Sequence, residues 1–427
     1  MLLRETMSDS QGFFYLLWDE SHLWGVMLWQ ALAQMGTPLK IVDASEIRSG
    51  ILDHAPPAGL LVPGGWARLK AERLGKSGLQ NIRDYVDSGG KYLGFCGGAG
   101  LALKSTSRTS CLDLCSWQRK PFKERLPNFS GHVLCRVTGL NLDQKQELFL
   151  PVWWPSQFEP CPEDQSVKIL ASYLRPGQDF WSSDLNLSLV DPADLKKWES
   201  VYGINLDPAL LTQEPCIIMG DYGQGKYILS YSHLETPGSS PANSLLQDIL
   251  EQWLGRSLKG KTSRPLSWDL KNTVPAWNHP VLVRSRQGLD QVIELGKSQF
   301  LLFWRNSWLL GWRRGIPGSP INFLYALSCQ AMSRLPSPQA AEFWETAADQ
   351  FDLEMNGFVA ELKEYLGHER LALTMSQSSP EASSDGLLQK QKTDLFGSFP
   401  GYGGRYGRLI RDLDRLVYLT LAEKPSR

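Results

Sequence analysis

The sequence lacks long apolar runs, a leader-like N-terminus and any excess of one charge. No stretch approaches the ~20 apolar residues that a membrane-spanning helix needs, so we expect no membrane span. Segment 1–12 has no apolar core of the length found in secretory signals. The formal net charge is −1, which gives no reason to expect nucleic acid or an anionic membrane as a partner.

The cysteine content indicates free thiols rather than a disulfide scaffold. Seven cysteines are scattered through 427 residues, and an odd number in a large chain is typical of a reducing compartment. We therefore predict a cytoplasmic protein. A nucleotide-binding phosphate loop is also missing, because "GYGGRYGRLIRDLDR" (401–415) contains no Gly-Lys-Ser/Thr and instead predicts the glycine-rich start of a helix.

The first half of the chain alternates strand-like and helix-like segments. Apolar runs predict the strands, and stretches with helical spacing separate them. In chain order they are "GFFYLLWDE" (12–20), "HLWGVMLWQALAQMG" (22–36), "PLKIVDA" (38–44), "GLLVPGG" (59–65), "SGLQNIRDYVDSGG" (77–90) and "KYLGF" (91–95). This alternation predicts an α/β fold, a mostly parallel sheet with helices on both faces.

A charged segment poor in large apolar residues divides the chain. Before it, 216–235 predicts a β-hairpin around a Gly-Gln-Gly turn, and 242–255 predicts the helix that closes the first domain. We therefore place the first domain at 12–255 and a linker at 256–270.

The remaining residues, 271–427, predict a mainly helical domain. Its longest regular pattern predicts a helix at 337–367, which we expect to pack on the C-terminal helix 405–422. Segment 375–386 has little apolar content to order it and predicts a flexible loop. In "WRNSWLLGWRR" (304–314) tryptophans alternate with arginines, which could stack on bases, but the four-residue spacing of the tryptophans more simply predicts a buried helix face.

The segment "GFCGG" (94–98) has the pattern of a nucleophile elbow between a strand and a helix. In that geometry the nucleophile holds a strained backbone, and its neighbours come too close for side chains. Cys96 would then lie at a helix N-terminus, where exposed amides and the helix dipole stabilise a thiolate. The alternative is a glycine-rich turn that holds an inert buried cysteine.

Two further motifs complete the machinery that a thiolate nucleophile needs. "SYSHLE" supplies His233 as a base and Glu235 as the carboxylate that fixes its tautomer, at the end of the last hairpin strand. Gly64 and Gly65, at the end of another strand, could offer an unobstructed amide to a developing oxyanion. Because the carboxyl ends of parallel strands share one edge, we expect these residues to meet.

Together "LLVPGG", "GGKYLGFCGGAGLAL" and "GQGKYILSYSHLE" resemble the class I glutamine amidotransferase-like superfamily. The branch they resemble most is the N-terminal domain of eukaryotic biotin–protein ligases. The resemblance covers residues 12–255 by motif order and implies a flavodoxin-like sheet. It also implies Cys96 as nucleophile, His233 as its base and Glu235 as the group that orients it. The amides of Gly65 and Gly97 would hold the oxyanion.

The sequence departs from the family in two places. Glutamine-using members carry a glutamine four residues after the nucleophile, where this chain has Gly100, so free glutamine is not the expected substrate. No Gly-Arg-Gly-Arg ligase signature is present, so biotin transfer is not expected either.

The cysteines and histidine between 111 and 135 are a candidate for a metal site. Cys111, Cys115, His132 and Cys135 have ligand types that suit zinc, but the C-x3-C arm is unusual, and buried free thiols are the favoured interpretation. We expect no metal and no cofactor.

The sequence thus predicts a cysteine amidase or amidotransferase-type hydrolase that acts through a thioester on a small-molecule or peptide amide. The alternative is a catalytically silent module that binds a ligand in its cleft, or a protein partner through the helical domain.

Overall fold

This computed structural model describes residues 12–105, 110–121, 128–138, 146–259, 267–313, 315–378, 385–398 and 403–422. The chain divides into two compact units, Met1–Ser267 and Trp268–Arg427. The division falls inside the predicted linker 256–270, of which residues 260–266 lie outside the described residues.

The first unit contains a mixed sheet of eleven strands in the described part of the chain, with helices on both sides. The unit's strands, including a separate pair (β5 and β8), are β1 Phe14–Leu17, β2 Leu39–Val42, β3 Gly59–Val62, β4 Lys91–Phe95, β5 Gln118–Arg119, β6 Phe129–Val137, β7 Gln146–Trp153, β8 Phe158–Glu159, β9 Lys168–Pro176, β10 Trp181–Ser182, β11 Leu185–Asn186, β12 Pro215–Tyr222 and β13 Gly225–Ser230. Its helices are α1 Leu23–Gln34, α2 Ala44–Arg48, α3 Ile51–His54, α4 Ala67–Asp87, α5 Gly97–Ala102, α6 Pro192–Tyr202 and α7 Ser240–Leu254.

One half of the sheet is parallel and has the strand order β2-β1-β3-β4-β13. This is the flavodoxin-like order, in which ligands bind beyond the carboxyl ends of the strands. The register aligns Ser230 with Phe95 and Val62 with Gly94, so β3, β4 and β13 end side by side. The predicted α/β class is confirmed.

The other half of the sheet is antiparallel. The hairpin between β12 and β13 reverses the chain direction, and the order continues as β12-β9-β6-β10-β11, with β7 also on β6. Most of these strands lie between residues 129 and 186, a stretch without the regular alternation of the N-terminal segments. The sheet is therefore more evenly mixed than the alternating N-terminal pattern alone indicates.

Helix α4 is longer at its N-terminal end than the sequence pattern predicts. It begins at Ala67 rather than near residue 77, and Gly75, with φ of 60°, interrupts it. The added turns bury Lys70, Ala71 and Leu74 against the parallel half of the unit, a pattern that the polar sequence around them obscures.

The second unit is mainly helical. Its elements are α8 Pro280–Ser298, β14 Leu302–Trp304, β15 Leu310–Trp312, α9 Gly318–Met332, α10 Pro338–Ser378, α11 Asp385–Phe396 and α12 Gly404–Ala422. As predicted, α10 packs on α12. The Ser337 hydroxyl accepts from the Ala340 amide at 3.0 Å and so caps α10. Of the predicted loop 375–386, residues 379–384 lie outside the described residues, and α10 and α11 cover the rest.

The prediction of a helix at 304–314 is wrong. Trp304 and Trp312 lie on the two arms of a β-hairpin, and Trp308 is buried in its turn, stacked on Trp268 with 6.3 Å between ring centroids. The Asn306 side chain accepts from the amides of Trp308 and Leu309 at 3.0 and 2.7 Å, which closes the turn. The four-residue spacing spans a hairpin here, not a helical turn.

None of the described helices in either unit combines the length and the hydropathy that crossing a bilayer requires.

Candidate active site

Cys96 lies at the junction of β4 and α5 in a backbone conformation that L-residues rarely adopt. Its φ is 48° and its ψ is −105°. The Cys96 amide donates to the carbonyl of Ser230 at 2.7 Å, which ties the junction to the end of β13. Strain of this kind at a strand end, held by the surrounding backbone, is typical of functional positions.

The glycines around Cys96 are required by close contacts. A Cβ on Gly94 would lie 2.6 Å from the carbonyl carbon of Gly98, and one on Gly98 would lie 2.1 Å from the carbonyl oxygen of Val62. A Cβ on Gly97 would lie 1.8 Å from the carbonyl oxygen of Gly65. The elbow therefore packs backbone to backbone against β3 and the loop that follows it.

His233 and Glu235 form a fully buried pair beyond the end of β13. The Nδ1 atom of His233 lies 2.7 Å from Oε1 of Glu235, and both side chains are 0% exposed. The His233 amide donates to the carbonyl of Pro151 at 2.9 Å, which fixes the segment against β7. The carboxylate can thus hold the proton on Nδ1 and direct Nε2 away from Glu235.

The His233 ring faces Cys96. Burial by itself lowers the pKa of the imidazole, but the Glu235 carboxylate and the Cys96 thiol more than offset it and raise the pKa to about 10. Nε2 is buried and has no partner of ordinary hydrogen-bond geometry within the described residues. The arrangement favours an imidazolium next to the sulfur atom.

The loop after β3 brings the predicted glycines to the same place. A Cβ on Gly64 would lie 3.1 Å from Cε1 of His233. Gly65 has a φ of +113°, and a Cβ there would lie 2.0 Å from the carbonyl oxygen of Glu20. Since Gly65 also contacts Gly97, the structure brings all six predicted residues into one cluster: Cys96, His233, Glu235, Gly64, Gly65 and Gly97.

Two tryptophans that the sequence analysis did not single out form a wall of the cluster. The Trp24 ring lies 4.6 Å from the His233 ring, between centroids, and 5.9 Å from the Trp154 ring in an edge-on arrangement. Trp154 itself has a φ of 56°. The position of Trp24 in the first turn after β1 was a usable signal, because that turn must reach the same sheet edge. Trp154 carried no such signal.

Buried polar contacts brace the segment that carries His233. The Asn243 side chain, on α7, donates to the carbonyls of Leu234 and Thr236 at 2.8 and 3.1 Å. The Trp153 indole donates to the Thr236 hydroxyl at 2.9 Å. These bonds fix the backbone on both sides of Glu235 and so help to set where the imidazole lies.

A buried cation supports the loop after β1, at the same edge. The ammonium group of Lys70, whose residue is 0% exposed, donates to the carbonyl of Asp19 at 2.8 Å and to the Ser21 hydroxyl at 2.5 Å. Next to it, burial raises the pKa of Glu20, but contacts with His22 and Arg73 outweigh it and lower the pKa to about 2. Residues 19–21 are therefore packed against Lys70 and support this edge.

The possible zinc ligands take separate partners. His132 pairs with Asp179 at 2.7 Å and with the Ser239 hydroxyl at 3.1 Å, and the Cys135 thiol donates to the carbonyl of Val133. Cys111 and Cys115 are buried thiols whose pKa values are raised by burial. Within the described residues no group of three or more His, Cys, Asp or Glu is placed to hold a metal ion.

The segment that carries the elbow matches a known family. Residues 50–107 match the model of the N-terminal region of biotin-protein ligase. This segment contains the glycine loop and Cys96, so the resemblance read from the motifs is confirmed there. His233 and Glu235 lie outside the matched residues. A comparison with curated proteins gives no match.

Several solved structures align with part of this chain at low identity and low TM-score. A protein from Thermoplasma acidophilum described as a GMP synthase subunit is 15% identical, with a TM-score of 0.35, over 58% of this chain and 94% of its own. PurLQS from Thermotoga maritima is 12% identical, with a TM-score of 0.37, over 57% and 99%. A β-galactosidase from Bacillus circulans is 10% identical, with a TM-score of 0.34, over 58% of this chain but only 32% of its own. Likenesses at these scores carry no argument about the fold or the activity of this chain.

Proposed function

We propose that the first unit is a cysteine-dependent amidase or amidotransferase-type hydrolase. The observation that supports this most directly is the position of Cys96, which is held at positive φ on a strand-to-helix junction and faces the buried His233–Glu235 pair. A positioned nucleophile, a base and a group that orients the base are the parts that acyl transfer needs.

In the proposed reaction the Cys96 thiolate attacks the carbonyl carbon of an amide, and the carbonyl electrons move to oxygen. The amides of Gly65 and Gly97 stabilise that oxyanion; Gly97 is the first residue of α5, where no intrahelical carbonyl is available to its N–H. The His233 imidazolium gives its proton to the leaving nitrogen, and the C–N bond breaks. A thioester on Cys96 remains. His233 then removes a proton from water, which attacks the thioester and releases the acid and the thiolate.

Free glutamine is not the proposed substrate. The position that holds a glutamine in glutamine-using relatives is Gly100, on α5. A Cβ there would lie 3.6 Å from Cβ of Ala67, an ordinary contact, so packing does not exclude a side chain at this position. We propose that the substrate, which donates its acyl group to Cys96, is another small-molecule or peptide amide.

The proposal is tested by measuring how fast each thiol is alkylated. At pH 6 an ordinary cysteine, with a pKa of about 8.5, is almost entirely protonated and reacts slowly. We expect iodoacetamide to modify Cys96 at least ~10-fold faster than Cys161, a matched control that is also half-buried and free. His233→Gln should remove most of that advantage. If Cys96 reacts no faster than the other six cysteines, the activated-thiolate proposal is wrong.

The silent-module alternative predicts a different outcome for Cys96→Ala. Binding of a ligand, or of a protein partner through the second unit, should survive this substitution, whereas turnover of an amide should be abolished. Screening a metabolite extract with the wild type and with Cys96→Ala, and following loss of amides by mass spectrometry, separates the two functions and identifies the substrate.

A further inference from the structure

Lys70 is the one described lysine or arginine that is buried. Among the described residues, only Lys70 and Glu235 are buried members of the four charged residue types, and both lie at the sheet edge that carries Cys96. Moving an ammonium group out of water is unfavourable unless the protein compensates for it. A buried charge beside a candidate site is therefore a reason to look for a role in the reaction.

Two hydrogen bonds direct the ammonium group of Lys70 to the loop after β1. It donates to the carbonyl of Asp19 at 2.8 Å and to the Ser21 hydroxyl at 2.5 Å. The residue between these two acceptors, Glu20, has a φ of 54°. Lys70 thus ties together a loop whose backbone is strained at its centre, and it does so from helix α4, which begins two residues after Gly65.

Gly65 contacts both the Lys70 side chain and that loop. A Cβ on Gly65 would lie 3.5 Å from Cε of Lys70 and 2.0 Å from the carbonyl oxygen of Glu20. Gly65 also touches the elbow, because a Cβ on Gly97 would lie 1.8 Å from the carbonyl oxygen of Gly65 and 3.2 Å from its amide nitrogen. An unbroken series of contacts therefore joins Lys70, through Gly65, to the other glycine of the proposed oxyanion site.

We propose that Lys70 is a positioning residue for the oxyanion: it holds Gly65 through the loop 19–21, and its buried charge favours negative charge on the oxygen bound there. The inference rests on the proposed function. Charges interact strongly in a site from which water is excluded, and a group already in place needs no rearrangement when the oxyanion forms. Because Lys70 acts through the loop and its charge, and not on the sulfur atom, its effect should appear only in reactions that pass through an oxyanion.

The test compares two reactions of Cys96, of which only one forms an oxyanion. With p-nitrophenyl acetate the thiolate adds to the ester carbonyl, the carbonyl oxygen becomes negatively charged, and p-nitrophenolate leaves as the thioester forms. With iodoacetamide the thiolate displaces iodide from the CH₂ group, and no oxyanion forms. The quantity measured is the ratio of the acylation rate to the alkylation rate. Acylation is followed by the burst of p-nitrophenolate above that of Cys96→Ala, and alkylation by mass spectrometry of the Cys96 peptide.

The main variant is Lys70→Met, which keeps an apolar stem and removes the charge. Loss of a direct oxyanion donor lowers a rate by ~10²–10³, so for an indirect contribution we expect the ratio to fall about tenfold. The matched control is Lys91→Met. Lys91 is half-buried and donates to the carbonyl of Trp253 at 2.9 Å, but it lies at the end of β4 opposite Cys96, so the ratio should keep its wild-type value.

The outcomes separate this inference from the proposed function. If Cys96 is alkylated faster than Cys161 but the ratio is the same in the wild type and in Lys70→Met, the role of Lys70 is wrong and the cysteine mechanism stands. If acylation and alkylation fall by the same factor, Lys70 only stabilises the fold and the inference is again wrong. If Cys96 has no advantage over Cys161, the proposed function fails and the inference falls with it.

Ser21→Ala keeps the inference testable if Lys70→Met does not fold. This substitution removes one of the two acceptors of the ammonium group and leaves the charge in place. We expect the ratio to fall about threefold, less than in Lys70→Met, because the contact with Asp19 remains. An unchanged ratio in Ser21→Ala would contradict the positioning role.

Discussion

Two regions of the molecule are stabilised in different ways. One is the sheet edge of the first unit that carries Cys96, and the other is the helical second unit. At the edge, four non-glycine residues have positive φ: Glu20, His22, Cys96 and Trp154. In the described part of the second unit only Phe300 does. The imidazole–carboxylate pair at the edge is fully buried, whereas the ion pairs that join α10 and α12, such as Arg405 with Glu361, are partly exposed. Half of the eight described non-glycine residues with positive φ, together with the buried charged pair, therefore lie at the edge that carries the candidate chemistry.

The largest expected effect in this comparison comes from the backbone contacts of the elbow. Gly98→Ala would place a Cβ 2.1 Å from the carbonyl oxygen of Val62, so we expect a loss of more than ~4 kcal/mol in the free energy of unfolding, or no folded protein. The matched control is Gly367→Ala in α10, where the new Cβ would have no atom within 4 Å beyond its chain neighbours and the backbone of its own helix. There the better helix propensity of alanine should add about 0.5–1 kcal/mol. Urea denaturation measures both, and a stable Gly98→Ala variant would contradict the geometry described for the elbow.

A smaller effect is expected in the pH dependence of stability. The native pKa of His233, about 10, lies above the value of 6.5 of an ordinary histidine, so the folded protein holds the proton more tightly. The resulting stabilisation is complete below pH 6.5 and is lost as the pH rises from 6.5 to 10. Over that range the unfolding free energy of the wild type should fall more steeply than that of His233→Gln, by at most ~1.4 kcal/mol per pH unit. His54→Gln removes an exposed imidazole and should keep the wild-type slope; equal slopes for all three proteins would disprove the assignment.

The smallest effect is expected in the second unit. Arg405 contacts Glu361 and Glu354 at 2.8 and 3.0 Å, but its side chain is 31% exposed. Because exposed ion pairs contribute little, Arg405→Gln should lower the unfolding free energy by no more than ~1 kcal/mol. Thermal denaturation in low and high salt provides the check, since the difference between the two proteins should shrink as salt is added. If Arg405→Gln lowered the unfolding free energy as much as Gly98→Ala does, the two regions would not differ in how they are stabilised.

Sequence reasoning located the candidate site because its main parts are local. The elbow is five consecutive residues, and His233 and Glu235 lie two residues apart, so strand-end geometry was enough to place them together. Trp154 and Lys70 were not found because their roles depend on contacts with residues far away in the chain. The hairpin at Trp304 and Trp312 was missed for another reason: a spacing of four residues fits a helical turn as well as two strand arms, and only the Asn306 turn distinguishes them.

The contact between Gly65 and Gly97 has a consequence for how the cleft could be altered. Two backbone segments that touch without side chains between them must move together, so the distance between the proposed oxyanion amides does not depend on any rotamer. The aromatic wall of Trp24 and Trp154 is not constrained in this way. Directed evolution toward a new acyl group should therefore accumulate changes in the aromatic wall, while the two glycine loops stay as they are.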